Sequence, residues 1–173
     1  AVLWNCRSFR HIALGAALNA FVSYSISNWT ASFMIRSHGM STGELGTWLA
    51  LIMGFGGAVG VLCGGLVADR LAPRDQRWYV WLPTLAGLIA LPFIGFVYVA
   101  EGPYTALLLM VVPAVMSNVY LGNAIATTHG LVGLRMLAMS SAILFLILNI
   151  IGLGAGPWTV GMVSDYLAPA FGD

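Results

Sequence analysis

The chain has 173 residues, of which 60% are hydrophobic and 8% charged, with a net charge of +1 and a mean hydropathy of +0.90. A soluble domain carries roughly 25% charged residues, and so few charges could not cover the surface of a water-soluble fold of this size. The composition excludes that class and points to an all-α, polytopic transmembrane helical bundle, because helices satisfy their own backbone polar groups inside a bilayer.

All seven bases are arginine, and the two cysteines, Cys6 and Cys63, imply no disulfide framework. No order of basic, apolar and cleavage regions marks a signal peptide. The chain starts just before one apolar run and stops just after another, so it reads as a fragment.

The first predicted span covers about 12–35. Asn19, Ser23 and Ser27 lie four apart and share one face, with Tyr24 and Asn28 beside them. A polar stripe of this kind faces other helices or water rather than lipid. Ser41 and Glu44 form a capping-box pattern that starts the second span, about 44–68, near Thr42. Gly56, Gly60 and Gly64 repeat every four residues along it, a stripe that lets a neighbouring helix approach closely. The stretch from Asp69 to Arg77 then holds five of the chain's thirteen charged side chains and reads as a tight loop at the water interface.

The third span, about 78–100, opens on an aromatic belt of Trp78, Tyr79 and Trp81 and contains Pro83 and Pro92, which suggest a bend. Pro103 suits the first turn of the fourth span, about 104–128. That span carries Pro113, Asn118, Tyr120, Asn123 and Thr127. The fifth, about 137–163, carries Asn149 and then Gly152, Gly154, Gly156 and Pro157, which weaken regular helix. Five spans put six arginines (Arg7, Arg10, Arg70, Arg74, Arg77, Arg135) on one side and Arg36 alone on the other. By the positive-inside rule the N-terminus is cytoplasmic. Glu44, Glu101, Asp165 and Asp173 then all lie outside.

The run Gly65-x-x-x-Asp69-Arg70-Leu71-x-x-Arg74 resembles the signature loop of the major facilitator superfamily, which joins the second and third helices of each six-helix half. Pro73 and Asp75 depart from that pattern and dilute its basic cluster. The outer-loop run 35–46, the run Arg77-Trp78-Tyr79 and the run Asn149–Pro157 are similar to spinster-like members. The resemblance implies helices seven to eleven of a C-terminal half. The N-terminal half and the twelfth helix would then be absent partners of the same protein.

The resemblance further implies secondary active transport of a small organic or amphiphilic, lipid-like solute by alternating access in the cell inner membrane. Protons are a candidate coupling ion. Gly65, Asp69, Arg70 and Arg74 are the candidate gating loop, with Asp69 able to accept hydrogen bonds from Arg70 or Arg74. The competing reading is a plain topological anchor worth ~0–1 kcal/mol. Tyr24, Asn28, Asn118, Tyr120 and Asn123 are candidate substrate-cavity residues, against the reading that they bond helix to helix.

No Asp, Glu, Lys or Arg lies in the middle of a span, so a coupling carboxylate is expected in the absent half. His129, near the cytoplasmic end, is a weaker titratable candidate. His11, His38 and His129 do not share a metal-binding spacing. No catalytic motif, cofactor loop or nucleic-acid patch is present. The alternative, a membrane-embedded enzyme or a structural multi-span protein, would need facing intramembrane acids, bases or metal ligands. The sequence offers none.

Overall fold

A computed structural model describes residues 2–171; Asp173, placed on the outer side above, lies outside them. Helices dominate: α1 (Val2–Asn5), α2 (Arg7–His38), α3 (Thr42–Leu71), α4 (Trp78–Val99), α5 (Pro103–Gly130), a 3-10 turn (Leu134–Met136), α6 (Leu137–Leu148), a π-helix (Asn149–Ala155) and α7 (Gly156–Phe171). Four stretches are long and apolar enough to cross a membrane: Thr42–Leu71, Trp78–Val99, Pro103–Gly130 and Leu134–Pro169. The helix α2 has ample length at 32 residues, but its polar stripe keeps it out of that set.

Local chemistry explains the boundaries. Ser41 caps α3, its hydroxyl accepting from the Glu44 N–H at 3.3 Å. The reciprocal half of the capping box is replaced. Glu44 instead reaches α5, where the Tyr104 hydroxyl donates to Glu44 Oε1 at 2.8 Å. Helix α2 ends at Gly39, the one described residue with a left-handed backbone (φ 64°). The Gly39 N–H closes the last turn on the Ile35 carbonyl at 3.2 Å, and the left-handed conformation turns the Met40 N–H back toward the Met34 carbonyl at 3.4 Å.

Two expected boundaries move. Helix α2 begins at Arg7 rather than near residue 12, because the Arg10 N–H bonds back to the Cys6 carbonyl. Helix α3 runs through Asp69 and Arg70 to Leu71, so these two belong to its last turn and not to the loop. Arg70 there complements the negative end of the helix dipole. The prolines Pro83, Pro92 and Pro113 sit inside α4 and α5 without ending them.

The last span is interrupted. Pro157 has no N–H, and in a regular helix its ring would meet the Leu153 carbonyl. The turns before it widen into the π-helix, at the middle of the Leu134–Pro169 stretch.

The chain forms two compact units, Ala1–Thr30 with Thr128–Asp173, and Ala31–Thr127. In the first, the N-terminal part of α2 lies against the π-helix and α7. A Cβ on Gly152 would stand 2.7 Å from the Ala20 Cβ, and one on Gly156 2.8 Å from the Phe21 carbonyl oxygen. The Trp29 indole donates to the Pro157 carbonyl at 3.4 Å. In the second, Met34, Met40, Leu45, Ile52, Val97 and Leu107 form the core of one end. Further along, the α3 glycine stripe meets α5: Gly56 faces Ala114, Gly60 faces Val115 and Asn118, and Gly64 faces Val119.

Candidate functional site

The signature stretch starts in the last turn of α3. Gly65 faces open space: a Cβ there would meet nothing within 4 Å. Asp69, Arg70 and Arg74 are all exposed. Among the described residues no hydrogen bond or ion pair joins Asp69 to Arg70 or Arg74. The expected bridge is therefore not formed within this chain.

The carboxylate that organises the loop is Asp75, one of the two departures from the signature. Its Oδ1 accepts from the Arg77 N–H at 2.9 Å, and its carbonyl accepts from the Trp78 N–H at 3.1 Å. An acidic side chain two residues before a backbone donor is a standard turn former, and here it launches α4. Sequence reasoning missed this role, although an Asp three residues ahead of a helix was the available signal.

The polar candidates divide between the two units. In the first, Tyr24 is 38% exposed and lies beside Gly152. Asn28 is exposed, and its amide donates to the Tyr24 carbonyl at 2.8 Å. In the second, Asn118 is half-buried against Gly57 and Gly60, with its amide turned to the Ala114 carbonyl at 2.8 Å. Asn123 is 1% exposed and donates to the Val119 carbonyl at 3.0 Å. Tyr120 is half-buried. Tyr24 and Asn28 thus present polar groups at a surface. The Asn118 amide is held by its own helix, and Asn123 lines no open surface in this structure.

Two further polar contacts escaped the sequence reading. His129 Nε2 lies 2.7 Å from the Ser141 hydroxyl, fastening the end of α5 to α6. Asn149, at the start of the π-helix, turns its amide onto the Phe145 carbonyl at 2.8 Å. No group of three or more His, Cys, Asp or Glu residues among those described could hold a metal ion.

No family model matches the chain. A curated relative does: it is 34% identical over 165 residues to an MFS-type efflux pump of Mycolicibacterium smegmatis, covering 95% of this chain and 38% of the relative. Over nearly its whole length the chain is similar to this member of the major facilitator superfamily. Solved structures agree. A bacterial homologue of the human lysosomal transporter Spinster, in an inward-facing and occupied conformation, superposes with a TM-score of 0.79 at 31% identity. The match covers 92% of this chain and 34% of that one. The inward-facing, unoccupied form gives 0.78 at the same identity. The chain spans little more than a third of the length of the relatives it matches, is spinster-like over that part, and is an integral multi-pass membrane protein.

Proposed function

We propose that the chain supplies helices seven to eleven of a secondary transporter that moves a small organic or amphiphilic solute by alternating access. The observation that carries this reading is the likeness to spinster-type structures over 92% of the chain. It is supported by the signature run at the end of α3. In this reading α2 also crosses the membrane, as the first of five spans. The arginine distribution puts the chain's N-terminus in the cytoplasm of a cell whose inner membrane holds the protein.

Gly65, Asp69, Arg70 and Arg74 are then one face of a gate whose other face lies on the remaining part of the transporter. Their exposure within this chain, and the open space beside Gly65, suit that role. Tyr24 and Asn28 are the best-placed candidates for contact with substrate. Asn118, Tyr120 and Asn123 on α5 are the further cavity candidates, with the Asn118 and Asn123 amides held by their own helix. One matched relative is called an efflux pump, which makes outward movement the first direction to test.

The test is a proteoliposome assay of the whole protein with a panel of amphiphiles, reading solute and proton flux for wild type and Asp69→Asn. Flux in the wild type, slowed in a folded Asp69→Asn variant, is the expected result. Full activity in the variant would reduce the signature run to a topological anchor. No flux with any amphiphile would remove the substrate class.

A further inference from the structure

Within the second unit, the first turns of α3 and α5 bring together Glu44, Trp48 and Tyr104. Glu44 and Trp48 are four apart and so share one face of α3. Tyr104 stands in the first turn of α5, and its hydroxyl donates to Glu44 Oε1 at 2.8 Å. The Trp48 and Tyr104 rings meet at an angle, with centroids 6.2 Å apart and planes inclined at 66°. All three side chains reach solvent or headgroups: Tyr104 is 55% exposed, Trp48 37%, and Glu44 is exposed.

A simple staple between two helices needs only the hydroxyl and one carboxylate oxygen. What remains has the chemistry of a cation receptor. Among the described residues no base is paired with Glu44, and Tyr104 engages only Oε1; the start of α3 offsets part of the charge but supplies no counter-ion. Two inclined aromatic rings offer electron-rich faces beside that charge, the arrangement that recognises organic ammonium groups. The phenol strengthens it: by donating to a carboxylate, the Tyr104 oxygen gains negative character, which enriches the ring face. A small hydrated metal ion would use the carboxylate but not the rings. An alkylated ammonium, poorly hydrated and broad, uses both.

We propose that Glu44, Trp48 and Tyr104 form a binding corner for an organic ammonium group. The group can come from a soluble solute or from a phospholipid headgroup at the membrane surface; the chemistry is the same. This binding claim does not depend on the transport reading, and either can fail alone.

The probe is tetramethylammonium chloride, titrated into the chain in nanodiscs of phosphatidylglycerol, which has no ammonium group. The readout is the fluorine resonance of 5-fluorotryptophan at position 48, assigned by its loss in Trp48→Phe. Sodium chloride at equal ionic strength is the control. The expected result is a saturable shift with tetramethylammonium and none with sodium. Glu44→Gln keeps a hydrogen-bond acceptor and removes the charge, so it weakens binding by about tenfold. Tyr104→Phe weakens it by a smaller factor. Circular dichroism confirms that each variant keeps its helices. A second set of nanodiscs, of phosphatidylcholine, separates the sources. A resonance already shifted and insensitive to added probe identifies the lipid headgroup, and an unshifted, titratable one identifies a soluble ligand. No saturable shift in the wild type, an equal shift with sodium, or unchanged binding in folded Glu44→Gln would overturn the proposal.

Discussion

Gly60 of α3 lies so close to Val115 of α5 that a Cβ on the glycine would collide with the valine carbonyl oxygen. A Cβ on Gly56 would stand 2.9 Å from the Ala114 Cβ, and one on Gly64 3.0 Å from Val119. Three glycines at four-residue spacing meet one stretch of the neighbour, at Ala114, Val115 and Val119. In a bilayer, where lipid is as apolar as leucine, this close approach is what makes one helix prefer another.

Gly60→Ala therefore has no room. The methyl group meets backbone, which cannot swing aside, so overpacking is expected to cost about 1–3 kcal/mol. Gly65→Ala, five residues on, meets open space and gains helix propensity, so it is expected to be neutral or stabilising by up to ~1 kcal/mol. The midpoint of unfolding in a sodium dodecyl sulfate titration, followed by helicity, separates the two. Equal midpoints would contradict this account of the α3–α5 contact.

Most of the architecture could be read from the residues, and the physical reason is the bilayer. A solvent that forbids unpaired backbone makes every long apolar run a helix, and Ser41, Gly39 and Pro103 punctuate the runs by local chemistry alone. What could not be read is pairing. The glycine stripe announced a close neighbour but not that α5 would supply it. Polarity in a span has two explanations, cavity lining or helix contact, and the packed structure adds only that the Asn118 and Asn123 amides turn onto their own helix. The capping pattern at Ser41 and Glu44 was legible, while the diversion of Glu44 to Tyr104 depends on a residue sixty positions away.

Ser41 gives a second test. Its hydroxyl satisfies the Glu44 N–H, one of the four donors left free at the start of α3. Ser41→Ala is expected to cost about 1 kcal/mol and Ser41→Asp to restore it. Hydrogen exchange of the first-turn amides of α3 should rise in the alanine variant alone. Exchange that is unchanged there would place the start of the helix under the control of packing rather than of its cap.

Thr128 gives the opposite kind of test. Its side chain is fully buried, and its hydroxyl has no hydrogen-bond partner. An unsatisfied buried hydroxyl costs about 1–3 kcal/mol. Thr128→Val has nearly the same shape and removes the polar atom, so the variant is expected to be as stable as wild type or more stable by about 1 kcal/mol. Thr128→Ala leaves a void and is expected to be less stable than the valine variant. A loss of stability in Thr128→Val would mean that the hydroxyl finds a partner in the bilayer-embedded protein.

The interrupted last span offers the sharpest contrast, because two glycines in one short run should respond in opposite ways. Gly156 sits under α2: a Cβ there would be 2.8 Å from both the Phe21 carbonyl oxygen and the Ser25 hydroxyl. Ser25 cannot yield freely, since its hydroxyl is held by the Phe21 carbonyl at 2.7 Å. Gly154, two positions earlier, has only the Asn149 carbonyl oxygen near it, at the ordinary distance of 3.7 Å. Gly156→Ala is therefore expected to lose about 1–3 kcal/mol and to free the Trp29 indole from the Pro157 carbonyl. That release should appear as a red shift in tryptophan emission that is lost when Trp29→Phe is added. Gly154→Ala is expected to leave both stability and emission near wild type. If the two variants behave alike, the seat of the π-helix on α2 is not what holds α7 in place.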